Sequence, residues 1–396
     1  MNAFKPYMTF LIAIMLGIFT GWIDNTYVHQ IAHITRQLFT NFLQLLASPI
    51  VFFAIISTLG NMKAIEEMKN LGKKIFGYTI LTTLIASFVA LILFVILDPA
   101  DQNISLSSIH SSEDSPSYLS FFLQIIPSNL IKAFLENNVI GLSFIALIFG
   151  LAILKSSQED RNVLGPLFSA IFKMILNVTN LVMKIIPLGI WGFTDLLIQE
   201  LRENSHQISE LFLYLSCVIG ANFIQGFIVL PLLLKWKKIS PLQTFKGVYK
   251  ALVLAFFSKS SNVTLPISLK CAEENLKIRP KIAKFSLPLC TVINMNGCAA
   301  FILSTVLFVS CSEGLSFSFF HLILWVFLAT LAAIGNAGVP MGCFFLSSTF
   351  LVGLGVPLKT LGLILPFYTI LDMIETALNV WSDLCVTAII DKTTKE

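Results

Sequence analysis

The chain has 396 residues, 56% of them hydrophobic and 12% charged, with a net charge of +4. Soluble domains carry about 25% charged residues, so the composition is that of a polytopic membrane protein and no nucleic-acid partner is expected. At ~20 residues per span the length allows about eight to ten membrane segments and leaves no room for a separate ATPase. No glycine-rich phosphate loop, HExxH zinc pair or GxSxG turn occurs, so the chain does not read as an enzyme or a pump, and energy for any work must come from an ion gradient.

Six ordinary spans come first, at Tyr7–Ile23, Leu38–Leu59, Ile75–Leu97, Tyr118–Leu154, Leu167–Ile198 and Leu211–Leu234. The first follows Lys5 without a small-residue cleavage site and reads as an uncleaved helix. The fourth is too long for one straight helix and is expected to break near Pro127 and Asn137. Lys63, Lys69, Lys73 and Lys74, then Lys235, Lys237 and Lys238, then Lys270, Lys277, Arg279, Lys281 and Lys284 mark cytoplasmic loops. Pro99 to Ser117 lacks Lys and Arg and carries Asp101, Glu113 and Asp114, as an external loop does. Both termini then fall on the cytoplasmic side of an inner (plasma) membrane. Cys217, Cys271, Cys290, Cys298, Cys311, Cys343 and Cys385 show no ligand-like spacing and read as core packing.

After Lys250 the pattern changes to a broken apolar segment followed by a long helix, twice over. Leu252–Leu269 contains SKSSNVTLP (Ser258 to Pro266) and precedes a helix over Phe285–Ser310 around NMNG (Asn294 to Gly297). His321–Leu354 contains GNAGVP (Gly335 to Pro340) and precedes a helix over Leu361–Ile390. Two interrupted segments in corresponding positions point to an inverted-repeat secondary transporter, its site near the midplane. Each would be a helical hairpin that enters and leaves by one face, its tip offering free backbone groups.

The last helix carries Asp372, Glu375, Thr376, Asn379 and Asp383 at spacings of three or four. At ~100° per residue these fall within about 100° of one face. A cytosolic amphipathic tail is the plainer alternative, but Leu384 to Ile390 continues apolar before Asp391 and Lys392. A lipid-facing carboxylate costs ~2.5 to 3.5 kcal/mol even on the translocon scale, so the stripe should face the protein interior. Asn294 and Asn296, two apart in a helix, are expected to point in different directions, and one buried asparagine is often only interhelical glue. Ser260, Ser261 and Asn262 suit the cap of a re-entrant helix as well as a solute.

These residues resemble the sodium:dicarboxylate/amino-acid symporter family, the glutamate transporter homologues. KSSNVTLP matches its serine-rich first hairpin, NMNG its NMDG-like motif, GNAGVP its second hairpin tip and LDMIETALNVWSD its last helix. The resemblance implies an all-α protein of eight transmembrane helices plus two re-entrant helical hairpins in inverted repeats. Residues 1–250 would form scaffold and trimerisation helices with part of the transport unit. Residues 251–396 would form the transport core, with a hairpin at 251–270, a helix at 283–310, a hairpin at 320–355 and a helix at 358–390. It further implies a homotrimer in lipid. Sodium ions are the implied coupling ions, with no organic cofactor. One sodium would lie among carbonyls of Cys290, Asn294 and Asn379 and the carboxylate of Asp383; a second among carbonyls of Val292, Ala333, Ile334 and Asn336. Asp372 would hold a substrate amino group. Asn379 and the backbone at Ser260 to Asn262 and at Val339 and Pro340 would hold the rest of the amino-acid head, with Cys298, Thr376 and Glu375 nearby.

Two departures from the family pattern matter. Glu375 stands where acidic amino-acid carriers have an arginine that pairs with the substrate's side-chain carboxylate. Two carboxylates about 4 Å apart repel by several kcal/mol even at an effective dielectric of ~20. The ETALN run instead looks like the serine/threonine symporter branch. A small neutral amino acid such as serine, threonine or alanine is therefore expected. A cationic substrate, an acidic amino acid or dicarboxylate, and proton in place of sodium coupling stay open. The second departure is Asn296, which replaces an aspartate of a third sodium site. Thr82, Thr83 and Asn294 would complete that weakened site. A non-transporting receptor and a channel are the rivals from other classes.

Overall fold

The computed structural model describes residues 5–23, 25–60, 69–100, 127–135, 139–203, 206–336 and 341–394. They are helical throughout, with no strand among them. Helices α1 (Lys5–Trp22), α2 (Thr26–Gly60), α3 (Lys69–Leu97), α4 (Leu130–Leu135), α5 (Val139–Lys155) and α6 (Gln158–Glu203) come first. Helix α7 (His206–Ile224) continues through one π-helical turn at Gln225–Val229 into α8 (Leu230–Trp236). The remainder comprises α9 (Pro241–Ser258), α10 (Ser261–Lys270), α11 (Pro280–Ile293), α12 (Asn296–Ser312), α13 (Phe319–Gly335), α14 (Gly342–Gly353) and α15 (Lys359–Thr393).

Four helices among the described residues are long and apolar enough to cross a membrane: Leu71–Leu97, Ser209–Trp236, Pro280–Ser312 and Lys359–Thr393. The apolar window of Pro280–Ser312 is 94% buried, so this segment is the centre of the molecule rather than a lipid-facing span. Helix α12 touches α3, α7, α13, α14 and α15, while α1, α2, α5 and α6 form a bundle joined to the rest through α14 and α13 on α2 and through α15 on α6. Met8, Leu11, Met15 and Phe19 are large apolar side chains exposed on the outer face of α1.

Several boundaries differ from the sequence reading. The second and fifth spans are much longer than read, as α2 and α6, and carry Pro49, Pro166 and Pro187 internally. Residues 118–126, Asn137 and the charge-poor loop after Ala100 lie outside the described residues, as does Lys63; Pro127 immediately precedes α4. The helix that leads into the first break begins at Pro241, ahead of residue 251, because Ser240 caps α9 by accepting from the Gln243 N–H and Pro241 occupies its first turn. The expected continuous helix over 283–310 is two helices. Asn294 (φ −103°, ψ 74°) and Met295 (φ −109°, ψ 64°) leave helical geometry, so α11 stops and α12 restarts inside the buried core.

On one side Arg279 clasps the end of α15. Its Nε donates to Asp391 Oδ1 at 2.8 Å and its Nη2 to the carbonyls of Asp391 (2.6 Å) and Thr394 (2.8 Å). Orphan carbonyls at a helix C-terminus are thereby satisfied by a cation of favourable sign for the helix dipole.

Candidate functional site

Each of the two breaks anticipated as hairpin tips is bordered by a non-glycine residue in the left-handed region. Lys259 (φ 51°) ends α9, and Ser260 restarts the helix as the cap of α10, its hydroxyl accepting from the Val263 N–H at 3.3 Å. Met341 (φ 55°) opens α14. Such backbone is costly outside glycine, asparagine and aspartate and persists where surrounding structure enforces it, often beside a functional site.

One cavity gathers residues from both breaks. It is lined by Lys259, Ser260 and Ser261 from the first hairpin, by Asn336, Gly342 and Cys343 from the second, by Met295 and Cys298 from the break between α11 and α12, and by Asp372, Glu375, Thr376 and Asn379 from α15. Of the anticipated substrate residues, Ser260, Ser261, Cys298, Asp372, Glu375, Thr376 and Asn379 therefore meet. Asn262 does not: its side chain is exposed, one helical step beyond buried Ser261. Val339 and Pro340 lie outside the described residues.

Lys259 was hidden in plain view as the first letter of KSSNVTLP. Its Nζ lies 3.7 Å from Asp372 Oδ2, with the two side chains only 18% and 12% exposed. The carboxylate anticipated for a substrate amine thus already faces an ammonium group of the protein. Glu375 is 1% exposed, and neither of its oxygens accepts an N–H or O–H hydrogen bond from a described residue. Asn379 braces the break: its Oδ1 accepts from the Gly297 N–H at 2.8 Å, and its Nδ2 faces Met295 Sδ and Cys298 Sγ. Gly297 has to be glycine, since a Cβ there would stand 2.7 Å from the Cα of Glu375. The motif's glycine is the point where α12 presses backbone to backbone on α15.

A second polar cluster lies deeper. Contrary to the helical expectation, Asn294 and Asn296 converge, because the break between α11 and α12 changes their relative rotation. Asn296 Nδ2 donates to Asn294 Oδ1 (2.9 Å), and both asparagines donate to Ser382 Oγ (2.9 Å each). Asn294 Nδ2 also donates to Asp383 Oδ1 at 3.0 Å, and Thr82 Oγ1 donates to Asn294 Oδ1 at 3.0 Å. Gln225, in the π-helical turn, completes the cluster by donating to Asn296 Oδ1 (2.7 Å) and to the Thr82 carbonyl (3.0 Å). Thr83 is fully buried with its hydroxyl unpartnered among the described residues. Gln225 and Ser382 escaped the sequence reading. A π turn has no local sequence signature, and Ser382 is an ordinary residue until the asparagines reach it.

Of the residues anticipated around sodium, Cys290, Val292 and Asn294 sit at the end of α11 and Ala333, Ile334 and Asn336 at the end of α13, while Asn379 and Asp383 lie within α15. The Cys290 carbonyl accepts from the Asn294 N–H at 2.8 Å beside buried Asp383, and the Ala333 carbonyl accepts from the Asn336 N–H at 3.1 Å. Val292 and Ile334 occupy the last turns of α11 and α13, which pack against each other. Helix C-termini present partial negative charge and spare carbonyl lone pairs, the oxygen-rich and weakly anionic surroundings that suit a hard monovalent cation.

Comparison with known proteins agrees with this architecture. The model of the sodium:dicarboxylate symporter family matches residues 7–393. Human neutral amino acid transporter B(0) is 27% identical over 380 residues, covering 86% of this chain and 70% of that protein. Bovine neutral amino acid transporter A is 26% identical over 390 residues, covering 88% and 73%. Mouse excitatory amino acid transporter 3 is 32% identical over 261 residues, covering 65% of this chain and 49% of that protein. The chain thus spans about half the length of some curated relatives it matches.

Proposed function

Since the chain belongs to the sodium:dicarboxylate symporter family, we propose that it is a secondary active symporter that couples inward sodium movement to uptake of a small neutral amino acid by alternating access. The observation that carries the reading is the meeting of both hairpin tips with Asp372, Glu375 and Asn379 in one cavity. An amino acid entering it exchanges its ammonium group for that of Lys259 at Asp372. Its carboxylate faces the start of α10 at Ser260 and Ser261, where free N–H groups and the helix dipole favour an anion. Its side chain faces Cys298, Thr376 and Glu375.

Glu375 decides against acidic substrates. A second carboxylate brought beside it would face a buried carboxyl group rather than a cation. The neutral transporters among the relatives support the same choice.

Sodium would bind at Asp383, Asn379, Asn294 and Cys290, and again between the ends of α11 and α13 at Val292, Ala333, Ile334 and Asn336. The third site, at Thr82, Thr83, Asn294 and Asn296, is weakened because amide donors from Asn296 and Gln225 do what a cation would do, occupying the lone pairs of Asn294 and Asn296. Fewer coupled sodium ions follow than a carboxylate at residue 296 would allow. Asn296→Asp is expected to raise the number of sodium ions moved per substrate by one in a vesicle flux-ratio measurement; an unchanged ratio contradicts this assignment.

The fold reading that goes with this function is eight transmembrane helices and two re-entrant hairpins, the segment from Pro241 to the C-terminal helix moving against a trimeric scaffold in an inner membrane, with both termini cytoplasmic. The functional test is a substrate screen in proteoliposomes with and without an inward sodium gradient. Saturable serine, threonine or alanine accumulation that needs the gradient is expected. Gradient-independent, non-saturating flux would indicate a channel, and binding without accumulation a receptor.

A further inference from the structure

Sequence spacing makes the seven cysteines look like packing residues, but two of them meet in space. Cys298 of α12, Cys343 of α14 and Glu375 of α15 each bring one ligand atom to within 4.8 Å of the other two, and all three residues are buried. A tetrahedral zinc centre with Zn–S of about 2.3 Å and Zn–O of about 2.0–2.2 Å has ligand-to-ligand edges of roughly 3.4–3.8 Å, so a contraction of about 1 Å would close the set. Three protein ligands leave a fourth position for water or a substrate group.

The surroundings are those of sulphur ligands rather than of inert thiols. Asn336 Nδ2 donates to Cys298 Sγ at 3.1 Å and to Cys343 Sγ at 3.5 Å, and Asn379 Nδ2 donates to Cys298 Sγ at 3.5 Å. Amide N–H groups aimed at sulphur orient ligands and stabilise thiolate charge. Both Glu375 oxygens lie buried without an N–H or O–H donor from a described residue. Two soft sulphurs exclude sodium from this position and select a thiophilic cation.

We propose that Cys298, Cys343 and Glu375 form a site for a thiophilic divalent cation such as zinc, which on binding ties the second hairpin to α12 and α15 and blocks the cavity. The three ligands come from three elements, so the cation staples the second arm of that hairpin across the break in the core. The blocking step rests on the proposed amino-acid site, since the same three residues line it. The metal site does not.

The test uses cadmium, a spectroscopically visible substitute for zinc, on the purified, reduced, full-length protein. Cadmium titration is expected to give a thiolate-to-metal ultraviolet band saturating at one equivalent and to raise Tm. Cys298→Ser and Cys343→Ser should each remove the band, and Glu375→Gln should weaken binding by about tenfold or more. Cys217→Ser and Cys385→Ser, equally buried elsewhere, should leave it intact. Absence of the band in the unmodified protein, its survival in both Cys298→Ser and Cys343→Ser, or equal loss in Cys217→Ser overturns the site, and because the first of these needs no variant, a folding defect cannot mask the answer. Zinc should also compete with substrate in uptake. Intact cadmium binding with undiminished uptake in zinc sinks the blocking step, while intact binding with no amino-acid uptake under any condition sinks the transport reading alone.

Discussion

Replacing Asp372 by asparagine is expected to reduce sodium-driven serine uptake by about a hundredfold or more while the purified protein stays folded. A substrate ammonium group held in a buried cavity needs a full opposite charge, and truncating one partner of such a pair costs about 2–5 kcal/mol, with 1.4 kcal/mol to each factor of ten. The same geometry predicts the opposite sign at Lys259. Its ammonium lies 3.7 Å from Asp372, so the fraction of molecules with Asp372 available is reduced and the apparent Kd rises in proportion. Lys259→Met should therefore lower KM for serine. Radiolabelled uptake in proteoliposomes reads both; an Asp372→Asn variant with normal kcat/KM, or a Lys259→Met variant with a raised KM and unchanged kcat, would remove Asp372 from the amine site.

Glu375→Arg is expected to reverse selectivity. Glu375 is buried, and its carboxylate lacks an N–H or O–H partner among the described residues. An ionised Glu375 would repel a second carboxylate 4 Å away by about 4 kcal/mol at an effective dielectric of ~20, and a protonated one would still offer it no cation. The unaltered protein should then take up serine without competition from aspartate. The arginine variant should transport aspartate and lose serine preference, because its planar fork pairs bidentately with a second carboxylate. Competition assays against labelled serine measure the change; strong aspartate competition in the unaltered protein would take the selectivity away from Glu375.

The acidic stripe was the most legible part of the sequence. Helical periodicity alone puts Asp372, Glu375, Thr376, Asn379 and Asp383 on one face, and the apolar run after Asp383 places that face in the interior, where all five are buried. The hairpin tips were legible as breaks, because serine, asparagine and glycine interrupt apolar sequence. What periodicity could not supply was the behaviour of backbone that leaves the helix. On an unbroken helix Asn294 and Asn296 would point in different directions, and two non-helical residues bring them together instead. The same limit hid Gln225, held by a π turn, and the pairing of Cys298 with Cys343, which only the stacking of α12 on α14 creates. Lys259 was missed for another reason. Helical spacing carries no sign of it, because the left-handed turn at Lys259 is what directs the side chain inward to Asp372.

The most direct test of a shared, sodium-coupled site is the binding of serine to the purified protein measured by calorimetry at low and high sodium, with choline replacing sodium at constant ionic strength. Linkage requires that sodium tighten serine binding by the factor by which serine tightens sodium binding. A serine Kd falling steeply as sodium rises, with that reciprocity, is the predicted result. A Kd identical in sodium and choline would contradict it.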